Sequence, residues 1–186
     1  MTQRMLTLAV LRPAPDDFLD NRLTAAVSWN GVCHAELVFD NGVAFSIYQG
    51  GVASLRQRTL SNPNYETVTL SVSPAEYASC LQFCNHSHTQ RYTFDTFGMY
   101  FALVHPPCFR RSSAAVGRTF CSKIIAEALQ FAAVPEAESL APSSATPSGL
   151  YSCFIASPRR ICHSLRLPPH PSGALAFQAG LRVQPL

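Results

Sequence analysis

Cys33-His34-Ala35-Glu36-Leu37-Val38-Phe39-Asp40-Asn41-Gly42-Val43-Ala44-Phe45-Ser46 is the stretch from which the fold is read. Two apolar runs flank Asp40-Asn41-Gly42, and Asn-Gly supplies the positive φ that a tight turn between twisted strands demands. The spacing predicts a β-hairpin, with residues 34–39 against 43–48, closed by Gln49-Gly50-Gly51. The two-residue period of a strand puts His34 and Glu36 on one face of the first arm.

Upstream, residues 5–11 (MLTLAVL) and 23–29 (LTAAVSW) read as short strands separated by a loop of prolines and acidic residues. Downstream, 66–72 (ETVTLSV) alternates as a further strand. Ser73-Pro74-Ala75-Glu76 is a capping box with proline at the first helical position, so a helix starts near Pro74 and ends near residues 85–88. Residues 95–104 predict a short buried helix stopped by Pro106-Pro107. Residues 121–134 place Ile124, Ile125, Ala128, Leu129 and Ala132 on one apolar helical face, with Cys121 in the first turn. A Ser/Pro/Ala-rich loop is expected to Ser148, then a short apolar segment at 150–155, an irregular proline-rich stretch at 157–172 and a last strand within 174–183 (ALAFQAGLRV). The class is α+β: a small antiparallel, barrel-like sheet packed against helices. A domain over 1–155 is followed by a Pro/Arg-rich extension over 156–186 that ends in the added strand.

A chain of 186 residues can bury a core without disulfides or metals. Lys123 is the only lysine among 14 basic residues, so the net charge of +3 comes with no lysine-rich tract and no nucleic-acid partner is expected. Seven cysteines, at 33, 80, 84, 108, 121, 153 and 162, form no CxxC pair and read as reduced thiols in the cytoplasm, that of a host cell for a viral product. The N-terminal apolar stretch of about seven residues is too short to cross a bilayer, so no stable membrane insertion is expected. Cys80, Cys84 and His88 recur four apart, a spacing that zinc can use, but the two cysteines fall on the face expected to be core. No metal and no cofactor is assigned. Arg110-Arg111 and Arg118 read as a solvated loop.

A thiol is a strong nucleophile as thiolate, and a helix N-terminus favours that form through its unpaired N–H groups. Cys121 is the cysteine expected in such a place. Its partner must be an imidazole that takes and returns a proton, and His34, at the start of a hairpin strand, is the candidate on a rigid element.

Two segments carry a resemblance. The stretch from His34 through the Gly42 turn to Ser46, with Gly50-Gly51 after it, is similar to the first catalytic motif of the circularly permuted NlpC-type papain-like cysteine hydrolases, the branch with YiiX-like and lecithin:retinol acyltransferase-like proteins. Phe120-Cys121-Ser122-Lys123-Ile124-Ile125-Ala126-Glu127-Ala128-Leu129 resembles that family's nucleophile helix, in the same His-before-Cys order. Asp95-Thr96-Phe97-Gly98 and Thr146-Pro147-Ser148-Gly149-Leu150 fall where further family segments lie. Lys123 stands where glutamate is usual and Gly149 where aspartate is usual. The resemblance, over residues 5–155, implies Cys121 as nucleophile and His34 as its base. Ser46 takes the place of the polar side chain that orients the histidine. Glu36 is a second candidate, for orienting the ring or meeting substrate, with Gln49 or a backbone carbonyl also open. The implied chemistry is acyl transfer at an amide, ester or thioester, on a peptide, acyl or lipid substrate. A thiol hydrolase of the amidase or peptidase kind is the first expectation; a lipid acyltransferase or phospholipase and an inactive interaction module are the alternatives.

Overall fold

The computed structural model describes residues 2–28, 31–60, 62–104 and 117–164. Strand β1 (Arg4–Leu11) runs between β2 (His34–Phe39) and β5 (Tyr65–Val72), antiparallel to both. The Asn-Gly signal acts as read: the chain turns at Gly42, φ 79°, and β3 (Val43–Ser46) returns along β2. Adding β4 (Ser54–Gln57) beside β3 and β8 (Arg160–Ser164) beside β5 gives an antiparallel six-stranded sheet in the order β4-β3-β2-β1-β5-β8 among the described residues.

Alternation in β1 decides where the core sits. Leu6, Leu8 and Val10 share a face with Phe39, Leu37 and Ala35 of β2 and with Leu70 and Val68 of β5, all buried. Helices α2 (Pro74–Thr89), α4 (Cys121–Phe131) and α5 (Pro147–Ala156) cover that face with Cys84, Ile124, Leu129, Leu150 and Phe154. Each large apolar side chain buried there contributes about 1.5–3 kcal/mol. The other face holds a small apolar patch of Ala9, Val38 and Ala44, with Leu60 and Tyr65 against it. Glu36 and His34 belong to this second face, because they alternate with Leu37 and Ala35 along β2.

Helix α2 starts on its capping box: the Ser73 hydroxyl accepts the Glu76 N–H at 3.2 Å and the Glu76 carboxylate accepts the Ser73 N–H at 2.7 Å. Three expectations need correction. Residues 23–29 do not form a strand; α1 (Leu19–Val27) is a helix. Leu19, Leu23 and Val27 recur at the helical spacing of four, only Thr24 and Val27 are β-branched, and Asp17 accepts from the Phe18 amide and the Asn21 side chain at the helix entry. The loop expected to Ser148 ends at Thr146, whose hydroxyl accepts the Gly149 N–H at 3.0 Å and starts α5 at Pro147. The stretch expected to be irregular from 157 opens with β8, so part of the supposed extension is an edge strand of the sheet. Just before it, Arg159 donates to Glu76 at 2.7 Å and to Glu136, which fastens this segment to α2 and to the turn after α4. Arg110-Arg111 and the strand expected within 174–183 lie outside the described residues. No helix among the described residues is long and apolar enough to cross a membrane.

Candidate active site around Cys121 and His34

A short parallel pair, β6 (Thr93–Phe94) with β7 (Arg118–Thr119), guides the chain into Phe120 and the start of α4. Between β6 and α3 (Thr96–Val104), the buried Asp95 accepts the Gly98 N–H at 2.9 Å and so starts that helix. Cys121 is the first residue of α4, as its sequence position predicts.

β2 outlasts β3. The ladder between them covers Leu37–Phe45 and Val38–Ala44, which leaves the edge of Ala35 to side chains. The Ser46 hydroxyl donates to the Ala35 carbonyl at 2.8 Å, and the Cys121 thiol faces the Ala35 amide together with its own amide and that of Ser122. Burial pushes the thiol up, and these three amides with the Ser122 hydroxyl pull it down without cancelling the rise, so the resting sulfur is protonated at neutral pH. This departs from the depressed pKa expected of a helix-terminal cysteine: at 4% exposure, desolvation outweighs the helix N-terminus.

His34 is buried on the second face, stacked on the Tyr48 ring at 4.3 Å between centroids with 26° between planes. Its Nε2 lies 3.2 Å from the Ser46 hydroxyl. That hydroxyl has one hydrogen and gives it to Ala35, so it accepts from His34; the network assigns the proton to Nε2 and leaves the Nδ1 lone pair for other work. Burial, with a smaller push from Arg58, lowers the imidazole pKa to about 4 against the opposing pull of Glu36.

Glu36, 1% exposed, is the centre of a second network. Its Oε1 accepts from the hydroxyls of Tyr48 and Tyr65, each at 2.5 Å, and from Arg58 Nη2 at 2.7 Å, while Arg58 Nε reaches Oε2 at 3.2 Å. Burial pushes the carboxyl up, but the hydrogen bonds from Arg58 and the tyrosines, with His34 nearby, hold it below the ordinary range. The carboxylate is 3.9 Å from His34 Nε2, beyond hydrogen-bond reach.

The structure therefore brings His34 and Ser46 into contact, sets Glu36 beside them, and turns the Cys121 thiol to the amide of the residue after His34. No hydrogen bond joins Cys121 to His34 among the described residues. Gln49 is exposed and donates to Asp20 at 3.3 Å, away from the imidazole. Lys123 is buried, donates to the Arg118 carbonyl at 3.3 Å and lies 3.9 Å from Glu127. Cys80 and Cys84 sit in the apolar core and His88 Nδ1 is 3.1 Å from the Ala53 carbonyl, so the spacing that zinc can use is occupied by packing. Sequence reasoning missed Tyr48, Arg58 and Tyr65. Tyr48 falls two residues beyond Ser46 and could have been placed by the strand period. The other two reach Glu36 only through the sheet's tertiary arrangement.

A narrow cavity of about 10 Å³ adjoins Cys121, lined mainly by apolar groups including Cys33, Met99, Ala102, Leu103 and Pro147. Compared with known proteins, the chain matches no family model, no curated protein and no solved structure.

Proposed function

We propose that the protein is a papain-like thiol hydrolase, with a permuted order of its catalytic residues, that cleaves an amide, ester or thioester through an acyl-enzyme on Cys121. The observation that supports this most is the convergence of two elements on one backbone site: a thiol on the first residue of α4 meets the amide of Ala35, and the preceding residue is a buried imidazole whose Nε2 edge is held by Ser46. In the reaction, the imidazole of His34, on the first residue of β2, must turn around the strand end to reach the thiol; Cys121 then passes it a proton and the sulfur attacks the substrate carbonyl carbon. N–H groups at the start of α4 donate hydrogen bonds to the developing oxyanion. The imidazolium then protonates the departing amine, alcohol or thiol, and water, deprotonated by the same ring, hydrolyses the acyl-thioester. Hydrogen bonds between nucleophile and base commonly tighten only with substrate in place, so their absence at rest is compatible with this chemistry.

A second reading, a lipid acyltransferase or phospholipase on the same dyad, is favoured by the surroundings. The cavity beside the sulfur is mainly apolar, and α1 and α3, which line it together with α4 and α5, also carry the exposed Leu19, Leu23 and Phe97.

A series of p-nitrophenyl esters from acetate to octanoate tests both. The expected result is release of nitrophenol with an acyl mass on Cys121, slowed about 10²-fold or more in His34→Ala, the range that general acid–base catalysis supplies. Acylation spread over the cysteines and indifferent to His34 would overturn the enzyme reading and favour an interaction module. A rate that climbs with chain length supports an acyl-chain substrate; a flat or falling series supports the amidase or peptidase.

A further inference from the structure

From the stack between Tyr48 and His34, and the Tyr48 hydroxyl on the buried Glu36 carboxylate, we infer that Tyr48 is a positioning residue for the His34 base, pinned over the imidazole by Glu36. The inference rests on His34 being the base of the proposed reaction. Tyr48 is itself 40% exposed while the ring beneath it is 7% exposed, so the tyrosine is what separates the imidazole from water on that side.

Three contacts fix its position. The hydroxyl donates to Glu36 Oε1 at 2.5 Å, Arg58 Nη2 donates to the same hydroxyl at 2.7 Å, and the flat ring lies on His34. Arg58 and Tyr65 hold the carboxylate in turn, so it cannot swing away with Tyr48. Glu36 thus acts on the imidazole through Tyr48 and not by a direct hydrogen bond. Ser46 closes the Nε2 edge of the imidazole and Tyr48 closes one face.

The groups that bear on His34 are known from each neighbouring element. Glu36 lies on its own strand, Ser46 ends β3 and Tyr48 lies two residues beyond it, Arg58 follows β4, and Tyr65 opens β5. Leu11 of β1 is apolar, and the following Arg12 is paired with Glu66. Cys33 precedes His34, and Cys121 stands at the Ala35 amide.

The test follows the His34 ring by NMR in the full chain with labelled histidine, assigned by comparison with His34→Gln. In the wild type the ring stays neutral down to about pH 4. In Tyr48→Ala, water reaches the imidazole, and its midpoint is expected to rise by at least about one unit toward the ordinary 6.5. Tyr48→Phe keeps the ring but loses its anchor, and its midpoint is expected between the two, with the slowed acylation of Tyr48→Ala largely restored. A purely structural role would lower the melting temperature without moving the His34 midpoint. An unmoved midpoint in Tyr48→Ala, or a Tyr48→Phe shift as large as that of Tyr48→Ala, overturns the inference. Acylation of Cys121 by the nitrophenyl esters from acetate to octanoate in the wild type is read in the same samples: its absence throughout the series refutes the enzyme reading, whereas an unmoved midpoint with acylation intact refutes the role of Tyr48 alone.

Discussion

Replacing His34 by glutamine should make the protein less sensitive to mild acid. In the folded chain the imidazole takes a proton only near pH 4, whereas in the unfolded chain it does so near 6.5. Between these values the unfolded state binds more protons, so stability falls as pH drops through that window. From pH 8 to pH 5 the loss from this one group comes to about 2 kcal/mol, and to about 3 kcal/mol once both states are titrated. Because the ring is buried under Tyr48, little of this is lost to solvent screening. Glutamine cannot titrate, yet its amide can still donate toward Ser46. Urea unfolding of both proteins at pH 8, 6.5 and 5 supplies the comparison, and the other histidines cancel because both chains share them. The wild type should lose about 2 kcal/mol more than His34→Gln over that span, or about 4–8 °C of melting temperature. Parallel curves would mean that His34 titrates like an exposed histidine, and the desolvated, Ser46-bound ring would then be the wrong description of the resting site.

Two further outcomes test the frame around the site. Ser46→Ala removes a hydroxyl that serves both His34 and the Ala35 carbonyl, and should cost about 1–3 kcal/mol in urea unfolding, with slower Cys121 acylation; an unchanged acylation rate would remove Ser46 from the site. Gly42→Ala should destabilise by about 1–3 kcal/mol, because φ there is 79° and the added carbon would stand 2.5 Å from the Gln57 amide nitrogen. At Gly50, also at positive φ but with open space around it, the same change should cost only about 1 kcal/mol.

Local chemistry was legible and long-range chemistry was not. Asn41-Gly42 and the Ser73–Glu76 box act within a few residues, and the structure has the turn and the cap where they stand. The resemblance put Ser46 on the returning strand near His34, and the two are in contact, Ser46 lying one step along the shared face from the position opposite the histidine. The α1 segment misled because its leucines at 19 and 23 are exposed, so they neither alternate as a strand nor mark a buried helical face. The partners of Glu36 lie 12, 22 and 29 residues along the chain, at Tyr48, Arg58 and Tyr65, and only the folded sheet sets them on one carboxylate. Strand β8 was hidden for a similar reason: its residues gain their role from β5, more than eighty positions earlier. The resting pKa of Cys121 was beyond reach too, because a helix position says nothing of how deeply the sulfur is buried.

The central place of β1 sets an order on the birth of the molecule. This strand leaves the ribosome ahead of both its neighbours in the sheet, and the second of them, β5, begins only at Tyr65. At about 5–20 residues per second, the apolar segment Met5–Leu11 waits about 3–12 s for that partner, while the β2–β3 hairpin closes within microseconds of its own emergence. Once β2 has paired with it, the segment still has the edge meant for β5 open, the condition under which nascent chains stick to one another. Arg4 and Arg12 bracket it as charged gatekeepers, and in the finished protein each finds a carboxylate, Asp40 for one and Glu66 for the other. The same two arginines thus guard the strand in the growing chain and fasten it in the completed sheet.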